Sequence, residues 1–137
     1  MKRILTLVAV TASVLAFGVG SAVAGRIVKV GPGSNGKTTL LQPSDVLVVS
    51  LPGNATTGYA WRLRSVDKSV LRPGSVKYVP RTAPTGKVGS GGTYVLRFRA
   101  LRIGATRLRL VYVRSGSTRP AKTYVLNVIV KVLPPRV

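Results

Sequence analysis

Three long segments alternate apolar and polar residues with a period of two. In TYVLRFRA, residues 93–100, Tyr94, Leu96, Phe98 and Ala100 share one face and Arg97 and Arg99 the other. In ATRLRLVYV, 105–113, Leu108, Leu110 and Tyr112 alternate with Arg107, Arg109 and Val111. TYVLNVIVKV, 123–132, reads as a third long strand. Successive side chains of a strand point to opposite sides of its sheet, so this pattern suits a half-buried strand and no helix. VLVVSL (46–51) and YAWRLR (59–64) are further strands, with shorter ones expected at 26–30, 38–41 and 76–79. Gly, Pro, Asn and Ser gather between them at 31–36, 52–58, 73–75, 80–92 and 115–120. Short strands at this spacing predict an all-β sandwich, in which Trp61 is buried against the opposite sheet.

The first 24 residues have the form of a secretory signal peptide. Lys2 and Arg3 precede the apolar run ILTLVAVTASVLAFGVG, and Ala22-Val23-Ala24 offers small residues for cleavage. Cleavage after Ala24 leaves residues 25–137 as one domain in a secreted or periplasmic protein, expected to be a monomer. The chain contains no Cys, His or Glu, and its only carboxylate side chains are Asp45 and Asp67. Thiol and histidine nucleophile systems are therefore excluded, as are His- or Cys-based metal sites. Carboxylate-pair chemistry would require Asp45 and Asp67 to meet. No cofactor and no enzymatic activity are expected.

Two motif matches fail on their surroundings. GPGSNGKT, 31–38, fits the phosphate-loop pattern, which needs a helix after the loop. TTLLQPSDVLVV follows instead, rich in β-branched residues and broken by Pro43, so a turn between strands is expected and no nucleotide. Ser65-Val66-Asp67-Lys68 fits the S-x-x-K of penicillin-recognising enzymes but lacks that system's other elements, so it reads as a polar turn.

Charge is the strongest compositional signal. The whole chain carries 22 basic and two acidic residues, a net charge of +20. Without Lys2 and Arg3 the charge stays near +18. Such a field attracts polyanions, including an anionic envelope. Arg97, Arg99, Arg107 and Arg109 point outward on strands that could be neighbours, so one basic face is an alternative binding surface. A purely structural sandwich domain is a third reading.

Function in small sandwiches usually lies in loops at one end of the scaffold. The three loops of interest are LPGNATTGYAW (51–61), PRTAPTGKVGSGGTY (80–94) and VYVRSGSTRPAKTY (111–124). In this order they resemble the chagasin family of cysteine-peptidase inhibitors, which carries N-P-T-T-G-[YF]-x-W, G-x-G-G and R-P-[WF] loops on an immunoglobulin-like antiparallel sandwich. The resemblance implies a reversible, competitive inhibitor whose three loops block the cleft of a papain-like cysteine peptidase. It implies that Asn54, Ala55, Thr56, Thr57, Gly58 and Tyr59 form the central loop, over the peptidase's catalytic Cys–His pair. Gly89, Ser90, Gly91 and Gly92 match the second loop, where glycine lets backbone approach backbone. Arg114 matches the third. Two departures stand out: Ala55 replaces the family's Pro, and Ser115-Gly116 replace its Pro-aromatic pair.

Overall fold

Residues 25–81 and 91–134 are described in the computed structural model of the protein. The expected signal peptide, the loop residues Gly89 and Ser90, and residues 135–137 lie outside them. Eight strands are seen in the described residues. They are β1 (Ile27–Val30), β2 (Thr38–Leu41), β3 (Val46–Gly53), β4 (Tyr59–Ser65), β5 (Leu71–Pro80), β6 (Gly92–Ala100), β7 (Gly104–Arg114) and β8 (Lys122–Val130). They form two four-stranded sheets, ordered β1-β3-β6-β5 and β2-β8-β7-β4. No helix among the described residues is long and apolar enough to cross a membrane.

The alternating residues become the core. Leu47, Val49 and Leu51 of β3 and Tyr94, Leu96 and Phe98 of β6 face Leu108, Leu110 and Tyr112 of β7 and Tyr124, Leu126 and Val128 of β8. Each fully buried large aliphatic side chain stabilises the fold by about 1.5–3 kcal/mol before entropy is counted. Trp61 is buried, and its indole N–H donates to the Pro52 carbonyl of the other sheet at 3.0 Å. That bond satisfies the one polar atom of a residue chosen for bulk.

Four pairings are antiparallel: β3–β6, β5–β6, β4–β7 and β7–β8. The outer pairs β1–β3 and β2–β8 are parallel, which an antiparallel sandwich did not anticipate. Neither β1 nor β2 has a hairpin partner. The turn 31–37 carries the chain from the edge of one sheet to the edge of the other. There Pro32–Ser34 form a 3-10 turn, Gly36 takes φ +79°, and Asn35 Oδ1 accepts from Val125 N at 2.9 Å. The phosphate-loop look-alike is thus a sheet-to-sheet turn leading into strand β2.

Residues 73–75, expected as a loop, lie within β5. The register slips between Pro73 and Val76, a β-bulge. Pro73 and Pro80 are tolerated because β5 is an edge strand whose outer N–H groups bond to nothing in the sheet.

The four arginines expected to line one basic face do not do so. Arg97 and Arg99 lie on β6 and Arg107 and Arg109 on β7, and these consecutive strands belong to different sheets. Their outward side chains therefore face opposite sides of the sandwich and line no common surface.

Asp45 and Asp67 do not meet either. Asp45, 3% exposed, closes the β2–β3 turn, with its carboxylate accepting from the N–H groups of Arg26 (2.9 Å) and Gln42 (2.8 Å) and from the Arg26 guanidinium (3.2 Å). Burial pushes its pKa up, but these donors outweigh it and hold the carboxyl below its ordinary value. Asp67 sits in the β4–β5 turn, where Oδ1 accepts from Ser69 N and Oγ. The S-x-x-K match is that turn.

Candidate functional site

Three connections meet at one end of the sandwich because of how the strands pair. β3 lies in one sheet and β4 in the other, so residues 54–58 must cross between them. β5 and β6 form a hairpin in the first sheet, and β7 and β8 form one in the second. Since β6 pairs with β3 and β7 with β4, the ends of the two hairpins flank the crossing on either side.

The crossing is a short 3-10 turn, Ala55–Thr57, capped at both ends. Asn54 Oδ1 accepts from Thr56 N at 3.1 Å and from Thr56 Oγ1 at 2.6 Å. Thr57 Oγ1 donates to the Asn54 carbonyl at 2.7 Å. Gly58 ends the turn at φ +81°, a left-handed conformation that side chains rarely adopt. Ala55, Thr56, Thr57 and Gly58 are all exposed. The motif N-x-T-T-G thus specifies a rigid turn: one amide side chain fixes the first threonine, one carbonyl fixes the second, and glycine supplies the exit.

Beneath the turn lies an aromatic shelf. Tyr112 Oη accepts from Asn54 N at 2.9 Å, and its ring packs on Tyr59 (centroids 5.4 Å apart) and Trp61 (5.2 Å). Lys122 Nζ lies 5.7 Å from the centre of the same ring, within cation–π range. Tyr94 Oη donates to the Tyr59 carbonyl at 3.1 Å, and Tyr78 packs on Tyr94 at 4.8 Å. Gly53 leaves room for this layer, because a Cβ there would come within 2.7 Å of the Tyr94 ring. Desolvation, then the neighbouring Tyr112 and Tyr78, raise the Tyr94 pKa despite Arg62, so its hydroxyl stays a proton donor at neutral pH.

The flanking loops are tied to this centre. Gly53 pairs with Gly92, and Gly91 sits beside the Gly53 carbonyl at φ +85°. A Cβ on Gly92 would run into the Val79 carbonyl oxygen, so the hairpin needs glycine there. On the other side Arg114 pairs with Tyr59, and Ser115 N donates to the Gly58 carbonyl at 3.0 Å. Gly116, where the family pattern has an aromatic, makes the hairpin turn at φ +80°.

The structure therefore brings Asn54, Ala55, Thr56, Thr57, Gly58, Tyr59, Gly91, Gly92 and Arg114 together, and separates Arg97 and Arg99 from Arg107 and Arg109. Sequence reasoning read Tyr94 and Tyr112 only as core and passed over Gly53. Their signal was position: both tyrosines stand at the loop-side ends of strands whose other inward residues are mostly aliphatic. The site presents amides, hydroxyls and methyl groups, with no thiol, imidazole or carboxylate side chain among its described residues. Among the described residues no group of three or more His, Cys, Asp or Glu could hold a metal. The arrangement can bind and obstruct.

Comparison with known proteins bears on the same residues. The family described as Chagasin family peptidase inhibitor I42 matches residues 41–128, which contain all three loops. Amoebiasin-1 of Entamoeba histolytica is 29% identical over 99 residues, covering 72% of this chain and 94% of that protein. The crystal structure of the cysteine protease inhibitor EhICP2 from Entamoeba histolytica shares the fold, with a TM-score of 0.69 at 20% identity over 77% of this chain and 96% of that one. PbICP-C, whose structure is of a complex with falcipain-2, aligns with a TM-score of 0.59 at 21% identity over 78% of this chain and all of that one. A family match over most of an immunoglobulin-like sandwich, joined to the loop geometry above, places the chain in the chagasin family of peptidase inhibitors.

Proposed function

We propose that the protein is a reversible, competitive inhibitor of papain-like cysteine peptidases, exported by cleavage after Ala24 and acting as a monomer. The observation that carries this reading is the braced crossing at residues 54–58, flanked by the end of one hairpin from each sheet. The complex of PbICP-C with falcipain-2 supports the class of target.

Binding here is a matter of prior order. Thr56 and Thr57 are stiff at χ1 and already bonded to Asn54, so little conformational entropy remains to be lost when the turn enters a cleft. The second loop offers bare backbone at Gly91 and Gly92 for strand-like contact. The third loop offers Arg114 but no aromatic anchor. Absence of such an anchor typically costs about 2 kcal/mol, or roughly 30-fold in affinity, so inhibition rests on the first two loops.

Thr56→Lys tests this reading, because it places a long charged chain at the exposed tip. Inhibition of papain is expected to fall by about 100-fold or more as a buried charge goes unpaired, with the thermal unfolding midpoint close to that of the parent. Equal inhibition by the variant would remove this loop from the site.

A further inference from the structure

The outer face of the β1-β3-β6-β5 sheet carries a feature that the loop end does not use. The bulge in β5 leaves Gly74 and Ser75 without register partners, opposite Arg97. A concavity of about 500 Å³ opens there, lined by Arg72, Pro73, Gly74, Arg97, Arg99 and Val46. Gly74 keeps its wall bare, since a Cβ would come within 3.1 Å of the Arg97 carbonyl. Arg72 stands directly opposite Arg99 across the two strands, and Arg97 lies two residues along the same face. Such neighbours have Cβ atoms roughly 5 Å apart across the sheet and about 7 Å apart along a strand. Lys29 and Lys77 flank the arginines on β1 and β5 of the same face.

All three guanidinium groups are exposed, and none donates to a protein acceptor or pairs with a carboxylate among the described residues. The carboxylate next in sequence to the lining residue Val46, Asp45, is buried and paired with Arg26. The opposite sheet differs: there Arg107 Nε donates to Asn127 Oδ1 at 3.3 Å. Like charges set directly opposite each other destabilise a sheet, so this cluster works against the fold that holds it.

We infer that the concavity of Arg72, Arg97 and Arg99 is a second binding site, for a soluble anion of two or more linked phosphoryl groups. A single carboxylate would satisfy one guanidinium and leave two, whereas a chain of phosphoryl groups presents oxygens along both directions of the array. The inward placement of Tyr78, Tyr94 and Phe98 leaves no aromatic among the described residues of this face for nucleobases to stack on, which favours a plain polyphosphate over a nucleic acid. The site stands apart from the loops and does not depend on their role.

Isothermal titration of the purified protein with sodium tripolyphosphate tests this at low salt. One-site binding is expected, weakening steeply as salt rises. Arg97→Gln and Arg72→Gln should each weaken it by about 10-fold, and Arg107→Gln, which removes the same charge from the opposite sheet, by less than about 2-fold. Equal losses from Arg97→Gln and Arg107→Gln would show general attraction to a cationic protein and overturn the site. So would absence of saturable binding. Binding confined to phosphatidylglycerol vesicles, with none to tripolyphosphate, would overturn the ligand class in favour of a membrane surface. Thermal melts of each variant, expected at or above the parent's midpoint, exclude loss by unfolding.

Discussion

Replacing Ala55 by proline should stabilise the fold without altering the shape of the central turn. Ala55 opens the 3-10 turn, a position that suits proline's fixed φ. Asn54 before it is extended, at φ −135° and ψ 104°, near the conformation that a following proline imposes. The Ala55 N–H donates to no protein acceptor among the described residues, while its carbonyl keeps the bond from Gly58 N. Nothing is lost on substitution, and the unfolded chain is denied conformations it would otherwise visit. At a compatible site this is worth about 0.4–1 kcal/mol. Because the folded turn is already held by Asn54, Ki should change by less than about 2-fold. Ki for papain and the thermal unfolding midpoint should be measured side by side, with the midpoint rising by about 2–5 °C. A higher midpoint with weaker inhibition would refute the reasoning, because the bound turn would then differ from the free one. A fall in both would mean that Ala55 cannot take proline's φ.

Tyr112→Phe retains the ring stack with Tyr59 and Trp61 but removes the acceptor for Asn54 N. It is expected to cost about 1 kcal/mol and about 5-fold in Ki. Amide exchange at Asn54 should quicken by a similar factor, and an unchanged exchange rate would refute a positioning role. Asp45 has a pKa held below its unfolded value, so its contribution is complete above about pH 4 and is lost as pH falls through the folded pKa. Asp45→Ala should therefore cost about 2–3 kcal/mol at pH 6, from loss of its charged hydrogen bonds, and less at pH 3, where part of that contribution has gone. Urea midpoints at the two pH values check this, and equal losses would contradict it.

The alternation in 93–100, 105–113 and 123–132 was enough to foresee the strands, the core and the burial of Trp61. It could not say which sheet each strand joins. Period two orients Arg97 relative to Phe98 within one strand. The relation of Arg97 to Arg107 depends on the chain crossing between sheets at 101–103, which no local pattern records. The parallel edges are hidden for the same reason, since β1 and β3 lie side by side with another strand between them in sequence. At 73–75 the Pro-Gly pair does signal a break in regular pairing, but on an edge strand that break is a bulge rather than a loop. In the site, N-x-T-T-G was legible because its bonds are local. The tyrosine shelf was not, because Tyr94 and Tyr112 come from different sheets and meet only under residue 53.

A peptidase cuts a chain laid out straight in its cleft, so a protein that rests there is exposed to being consumed. The five residues of the crossing begin at the Gly53–Gly92 rung of one sheet and end at the Tyr59–Arg114 rung of the other. Drawn out as a strand they would reach roughly 16 Å, and that length is reached only if the rungs unzip or the sheets part. Straightening the turn is thereby coupled to opening the sandwich, and cutting follows the population of that open form. The lifetime of the protein in an active cleft is then set far from the bond at risk, by Leu47, Leu96, Leu110 and Leu126 in the middle of the core.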